Sequence, residues 1–404
     1  MTVGIRQKQY FLQGSKFILK DIKLVSLRTM KKVYLDNAST TQIRTEVVAE
    51  MAKVLAEDFG NPSSTHAFGR NSKNLIELSR KSIAKSLNCS AQEIIFTSCA
   101  TEANNFIIKS CIKDLKVTRI ITSKIEHHAV LHTVQILQSQ NPVTVEYVNV
   151  LPSGEIDIVH LTDLLSVEGK TLVSLMHVNN EIGTVLSLER IAKICKQYNA
   201  YFHTDTVQSI GKTALDLQVL PVDFLVASAH KFHGPKGIGF AFIRKGLVLT
   251  PLLLGGDQEK GLRAGTESVH NIAGMAKALE LSYTHLTEEE KYISGLKEYT
   301  VSQLKTHFPG VRFNGDPATT FYNILNVLLP FPEEKTAMIL FHLDMKGIAV
   351  SRGSACQSGS VKPSHVLAEI LADEDLKKPS LRISYSHYNT LEDIDYLIEN
   401  LKLI

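Results

Sequence analysis

The sequence predicts an α/β protein: a large region built on a mostly parallel sheet, followed by a smaller α/β region. Three observations carry this expectation. Short β-branched or aromatic runs recur at Glu93–Thr97, Arg119–Thr122, Val143–Val148, Thr171–Met176, Ala200–His203 and Asp223–Val226. Helical segments near 127–139, 157–166 and 187–198 separate most of them, and strands alternating with helices of roughly 10–15 residues mean βαβ crossovers. After Gly265 the pattern changes: a long helical stretch from Val269 to about Leu304 leads to strands near Ile324–Leu328, Ile348–Val350 and Leu381–Ser384.

Each element follows from local chemistry. Gln42–Asp58 carries Val47, Met51, Val54 and Leu55 at helical spacing and stops before Gly60-Asn61-Pro62, where proline disfavours continuation. Glu93–Thr97 ends at Ser98, with a helix-like stretch from Glu102. In parallel sheets ligands bind beyond the carboxyl ends of the strands. Polar clusters fall at those ends: Ser98–Thr101, Asn179-Asn180, Asp205–Gln208 and Ser228–Lys231. The economical division is a large domain at 41–288 and a small one made of 30–40 with 289–404, the boundary lying near 285–290 in the long helix. A chain of 404 residues is long enough for such a division.

The net charge of +3 is unevenly spread. Residues 1–29 hold six basic side chains against one acid, Asp21, so the rest of the chain is slightly acidic. A near-neutral body argues against direct nucleic-acid binding. No apolar run approaches the ~18 residues of a membrane span. The N-terminal extension lacks an apolar signal core. Its basic, acid-poor character resembles a mitochondrial transit peptide, while Met30, running directly into the first motif, is the favoured start. The five cysteines (Cys89, Cys99, Cys111, Cys195, Cys356) form no CxxC pair, which disfavours zinc, and an odd, sparse count suits a reducing, cytoplasmic setting.

Several motifs carry chemistry. Ser228-Ala-His-Lys231-Phe-His-Gly-Pro-Lys-Gly237 follows a predicted strand, and a lysine there, partly desolvated, suits a Schiff base; a surface lysine in a turn is the plain alternative. His203-Thr204-Asp205 closes another strand, where a carboxylate can hold a protonated pyridine nitrogen or simply cap the following helix. Ser98–Glu102 places hydroxyls and N–H groups at a helix N-terminus, a phosphate site or an ordinary cap. Glu126-His127-His128 puts a ring over a cofactor or packs; adjacent residues on a helix point about 100° apart, which disfavours a two-histidine metal site. Four cysteines lie in or beside apolar segments and read as core residues, whereas Cys356 lies among Gly and Ser and reads as an exposed thiol.

In order along one chain, these motifs resemble the cysteine desulfurases, class-V aminotransferase-like enzymes of fold type I that use pyridoxal 5'-phosphate. The resemblance runs from Val33 to the C-terminus through "YLDNASTT", "FGNPSSTH", "FTSCATEANN", "EHHAVL", "HVNNEIGTV", "FHTDTVQSIGK", "SAHKFHGPKGIG", "GLRAGTESV" and "SRGSACQSG". The Cys356 loop looks like the NifS/IscS (class I) type. The resemblance implies a seven-stranded, mostly parallel sheet and a homodimer. It makes Lys231 the Schiff-base lysine, Asp205 the partner of the pyridine nitrogen, and Gln208 and Asn180 contacts to the ring hydroxyl side. His127 would stack on the ring and shuttle protons. Ala100 through its backbone, Thr101, Ser228 and His230 would hold the phosphate, and Thr266 would reach the phosphate of the neighbouring subunit. Arg382 would clamp the substrate carboxylate, with Asn180 beside it, and Cys356 would accept sulfur.

The implied reaction converts L-cysteine to L-alanine and leaves a persulfide on Cys356, for delivery to an iron–sulfur scaffold or a tRNA-thiolation relay. Selenocysteine lyase and an inactive sulfur-transfer scaffold are the rival readings. Three departures from the family pattern stand out. Cys99 occupies a position that is often Gly and would be strained if φ were positive there. Thr206 replaces a frequent Ala. Arg352 replaces a small residue and would add charge near Cys356.

Overall fold

A computed structural model describes residues 31–353 and 364–404. The chain enters through β1 (Val33–Tyr34), α1 (Thr45–Glu57) and α2 (Ala67–Ser86). It then lays down β2 (Ile94–Thr97), α3 (Ala100–Lys113), β3 (Arg119–Ser123), α4 (His128–Gln140), β4 (Thr144–Val148) and α5 (Ile158–Leu165). There follow β5 (Thr171–Ser174), α6 (Leu188–Gln197), β6 (Tyr201–Asp205), β7 (Phe224–Ser228) and β8 (Gly239–Ile243). Strands β2 to β8 form one seven-stranded sheet in the order β2-β8-β7-β6-β5-β3-β4. Pairing is parallel from β4 through β7, and β8 runs against both of its neighbours. The expected mostly parallel sheet is therefore present. Strand β8 was absent from the expected runs, because Gly237 and Gly239 at its head read as a loop signal.

Period-two alternation explains why this sheet is stable. On β7, Phe224 and Val226 enter one apolar layer while Leu225 and Ala227 enter the other; on β8, Ala241 and Ile243 oppose Phe240 and Phe242 in the same way. One layer packs under α3 and α4 through Phe106, Ile107, Val130 and Val134. The other packs under α1, α2 and α6, and under α7 (Val269–Thr284), through Val47, Ile76, Ile191 and Ile272. With both faces covered, the strands are apolar on both sides, as parallel sheets require.

Helix α8 (Leu286–His307) follows α7, and the single long helix expected from sequence is broken at His285, whose φ of −101° and ψ of 7° leave the helix. The Thr284 hydroxyl donates to the Glu280 carbonyl at 2.8 Å, the kind of back-bonding that bends helices. The remaining elements are β9 (Arg312–Phe313), β10 (Ile324–Leu328), α9 (Ile339–Asp344), β11 (Ile348–Ala349), α10 (His365–Ala368), α11 (Asp373–Lys377), β12 (Ser380–Ser384) and α12 (Leu391–Leu401). Strand β10 pairs antiparallel with β9 and β12, and β1 pairs in parallel with β11. A third apolar cluster joins Val33 and Leu35 to Leu296, Val327, Leu381, Ile383 and Leu397. On the strength of this separate cluster we propose the division into 41–288 and 30–40 with 289–404.

Gly239 links the sheet to the segment that leads into α3. A Cβ there would collide with the Ala227 carbonyl oxygen and stand 3.1 Å from Cys99 Cα. Neither obstacle is a flexible side-chain tip. Gly239→Ala is expected to cost about 1–3 kcal/mol in urea unfolding, the range for overpacking, and to weaken cofactor retention on dialysis through displacement of Cys99 and Ala100.

Candidate active site

Most of the sequence-predicted residues reach one place because parallel strands end on one side of a sheet. Strand β6 ends in Asp205, and β7 ends in Ser228, from which one 3-10 turn carries the chain through His230 to Lys231. His127 is the N-cap of α4, just beyond β3, and Ala100 and Thr101 open α3 just beyond β2. Asn180 lies beyond β5, and Arg382 arrives from β12. Together with Gln208, Ala38, Ser39, Cys99 and Asn104, these residues line a cavity of about 230 Å³.

The polar contacts are specific. Lys231 Nζ donates to the carbonyls of Ala38 at 2.7 Å and Ser39 at 2.8 Å. Asp205 accepts from Asn104 Nδ2 at 2.8 Å and from the Val207 N–H at 3.0 Å. His127 Nδ1 accepts from the Ala129 N–H at 3.1 Å, so in the neutral ring the proton resides on Nε2. Burial, reinforced by the Lys231 charge, lowers the His127 pKa, with Asp205 opposing. Gln208 Nε2 donates to the Ala38 carbonyl at 2.9 Å. His230 Nδ1 lies 3.1 Å from the Thr40 hydroxyl, and burial with Lys231, Lys236 and Lys212 nearby pushes its pKa down to about 3. Arg382 donates from Nη1 to the Asn180 carbonyl and from Nη2 to Asp36 Oδ1, each at 2.8 Å.

Two expected site residues do not join this group. Thr266 is exposed and does not line the cavity, and Cys356 lies outside the described residues. The reading of four cysteines as core residues needs correction. Cys111 and Cys195 are buried and Cys89 packs against the core, but Cys99, the N-cap of α3, is only partly covered and lines the cavity. Its φ of −174° is extended backbone, so the departure from Gly carries no strain. The Thr206 hydroxyl donates to the Val226 carbonyl at 2.7 Å, tying β6 to β7. Arg352 Nη1 donates to the Thr336 carbonyl at 2.9 Å.

Sequence reasoning missed Asn104, Ala38, Ser39 and Glu126. Asn104 had a signal in its helical spacing from Thr101; the carbonyls of Ala38 and Ser39 had none, since any residue type supplies them. Glu126 is buried beside His127, accepting from the Ser123 hydroxyl and the Met176 N–H, and burial pushes its pKa up to about 8. Among the described residues no group of three His, Cys, Asp or Glu side chains is arranged for a metal.

The pocket fits a phosphorylated pyridine aldehyde on its own chemistry. Asn104 Oδ1, Gln208 Oε1 and Arg382 Nε are buried without a protein partner. The N-terminus of α3 offers N–H groups that no helix can satisfy internally. A lysine and a carboxylate at the ends of adjacent parallel strands supply an amine for the aldehyde and an anion for the ring nitrogen.

Fold and pocket together define an enzyme of the aminotransferase-like, pyridoxal-phosphate-dependent class. The chain belongs to the class-V aminotransferase family, whose model matches residues 33–397. It is 42% identical over 376 residues to "Cysteine desulfurase IscS" of Dictyoglomus turgidum, covering 93% of this chain and 94% of that one. The protein of the same name from Methanosarcina thermophila is 41% identical, covering 91% of each. Among solved structures, a "NifS-like protein" is similar with a TM-score of 0.85 and 37% identity, covering 92% of this chain and 99% of its own. "SspA in complex with cysteine" is similar with a TM-score of 0.77 and 31% identity, covering 89% of this chain and 100% of its own.

Two buried imidazoles set an acid limit on stability. His177 Nδ1 and His203 Nδ1 each lie 2.8 Å from a serine hydroxyl, Ser209 and Ser174, and burial lowers each pKa to about 4. Between about pH 4 and 6.5 the unfolded chain therefore binds more protons than the folded one. Stability is complete above about 6.5 and is lost as pH falls through that window, by at most about 1.4 kcal/mol per unit for each ring. Urea midpoints measured from pH 7 to 4 are expected to fall, and His203→Gln to flatten the slope.

Proposed function

We propose that this chain is a pyridoxal-phosphate-dependent cysteine desulfurase that converts L-cysteine to L-alanine and passes the sulfur to Cys356 as a persulfide. The observation that carries the reading is the convergence of Lys231, Asp205, His127 and Arg382 on one cavity, within a chain about 40% identical to cysteine desulfurases. The same convergence disfavours an inactive scaffold.

Lys231 would hold the cofactor covalently, Asp205 its ring nitrogen, Gln208 and Asn180 its hydroxyl side, and Ala100, Thr101, Ser228 and His230 its phosphate. When bound, the cofactor supplies an electron sink for charge developing at the substrate Cα. Arg382 presents its Nε–H, buried without a protein partner, toward a substrate carboxylate. Lys231 Nζ would be the base placed to take the substrate Cα proton. His127 is neutral at pH 7, because its pKa is lowered, and its Nε2–H is available as a proton donor. The Cys356 thiolate attacks the substrate sulfur; the sulfur–Cβ bond breaks, its electron pair goes to carbon and is protonated at Cβ, and return of a proton to Cα, for which Lys231 Nζ is placed, completes alanine.

A homodimer is part of this reading. Phe59, Phe68 and Leu254 are exposed apolar side chains, the two phenyl rings lying 5.3 Å apart. Gln258 ties this region together, donating to the Ser63 hydroxyl and accepting from the Gly265 N–H beside Thr266. A second copy of the chain covering that face would place Thr266 at the neighbour's phosphate. Delivery to an iron–sulfur scaffold or a tRNA-thiolation relay, in the cytoplasm, completes the proposal; no helix among the described residues is long and apolar enough to cross a membrane.

Lys231→Ala is expected to abolish alanine production and the visible absorbance of the lysine-bound cofactor. Cys356→Ser is expected to keep that absorbance and lose the enzyme-bound persulfide, read by mass spectrometry. Persulfide retained in Cys356→Ser would refute the assignment of the acceptor.

A further inference from the structure

Asp36, from the "YLDNASTT" motif, has no role in the reaction as described above. It follows β1 and bridges to Ser384 at the end of β12. Its Oδ1 accepts from Arg382 Nη2 at 2.8 Å and from the Ser351 hydroxyl at 2.9 Å. Ser351 and Arg382 are themselves a backbone pair, with N–H to carbonyl distances of 3.2 and 2.7 Å. One carboxylate oxygen thus binds both members of the pair.

The Arg382 side chain is 1% exposed, and the other protein groups it donates to, the Asn180 carbonyl and the Ser39 hydroxyl, are neutral. Among the described residues, Asp36 is the anion bonded to it. A buried guanidinium without a counter-charge is costly, and neutral acceptors fix its plane less firmly than a charge-assisted bond. Three of its five donors are taken by these contacts, and Nε remains buried without a protein partner. That leaves two unfilled donors, the Nε–H and one Nη1–H, on an otherwise immobilised guanidinium lining the cavity.

We propose that Asp36 is a positioning residue for Arg382: it fixes the guanidinium's orientation so that the carboxylate of an amino-acid substrate meets preoriented N–H donors. The proposal rests on the reading of Arg382 as the carboxylate clamp. It separates Asp36 from a general structural role, because only ligands bearing a carboxylate should feel its loss.

The test uses the holoenzyme, titrated with L-alanine and with ethylamine, the same skeleton without the carboxyl group, and read by the cofactor's absorbance. Asp36→Ala is expected to weaken L-alanine about tenfold and ethylamine less than twofold. Asp36→Asn, which keeps an acceptor but loses the charge, is expected to weaken L-alanine about threefold, again without effect on ethylamine. Equal weakening of both ligands would overturn the proposal. So would unchanged L-alanine binding in Asp36→Ala while Arg382→Ala loses it. Unchanged L-alanine binding in Arg382→Ala itself would remove the clamp reading, and this proposal with it. Should Asp36→Ala fail to fold, the selective loss in Asp36→Asn decides for the proposal, and its absence against.

Discussion

Two backbone carbonyls, of Ala38 and Ser39, hold the Lys231 ammonium, and much of the pocket is arranged around that contact. The contact joins parts of the chain with separate cores. Val33 and Leu35 are buried in the apolar cluster of β10 and β12, whereas Lys231 follows β7 of the large sheet. The turn between them is fastened on both sides. The Thr41 N–H and hydroxyl both donate to the His230 carbonyl, and the Arg44 N–H donates to the His233 carbonyl. Residues 38–44 therefore run beside 230–233. A shift of β1 against the large sheet would move the carbonyls from Lys231 and, through Ala38, from Gln208.

The same seam explains why so many ionisable groups are buried here without unfolding the protein. Most are held in their neutral form. Burial lowers His177 and His203 to about 4 and raises Glu126 to about 8, so near pH 7 each is predominantly uncharged and pays little for desolvation. Their hydrogen bonds are correspondingly neutral, to Ser209, Ser174 and Ser123. Two deeply buried arginines that keep their charge have partners of opposite sign. Arg382 has Asp36, and Arg80 has Glu259 in a bidentate pair at 2.7 Å that also reaches the Phe96 N–H at 2.8 Å. That second pair anchors the segment before Thr266 to the edge strand β2.

The large sheet was legible because its strands obey a two-residue period and its helices a longer one. Phe224–Ser228 announces itself by composition, and its position before Lys231 follows. The break at His285 was not legible, since no proline or glycine marks it and only a threonine back-bond accompanies it. Strand β8 hid behind its glycines: Gly237 makes a turn at φ 81°, and Gly239 allows the close approach to Cys99. Of the site, the side chains with distinctive chemistry could be read: Lys231, Asp205, His127 and Arg382. The backbone acceptors could not, because a carbonyl leaves no signature in residue type. Asp36 was visible as a letter in a motif, but its bond to Arg382 spans 346 positions and depends on β1 joining the far end of the chain.

The three departures from the family pattern follow the same division between backbone and side-chain function. Cys99 can replace a glycine because what position 99 contributes is an extended backbone and a carbonyl that starts α3, accepting from the Ala103 N–H. Thr206 can replace alanine because its hydroxyl finds the Val226 carbonyl inside the sheet, so no buried donor is left unpaired. Arg352 is the one that changes charge. Its guanidinium reaches the Thr336 carbonyl, a neutral acceptor, and burial lowers its pKa. Asp36 is already engaged by Arg382 and Ser351, so it does not serve Arg352 as a counter-ion. Of the three departures, only Arg352 adds a positive charge beside Cys356 in the sequence, and a positive charge beside a thiol favours its thiolate form.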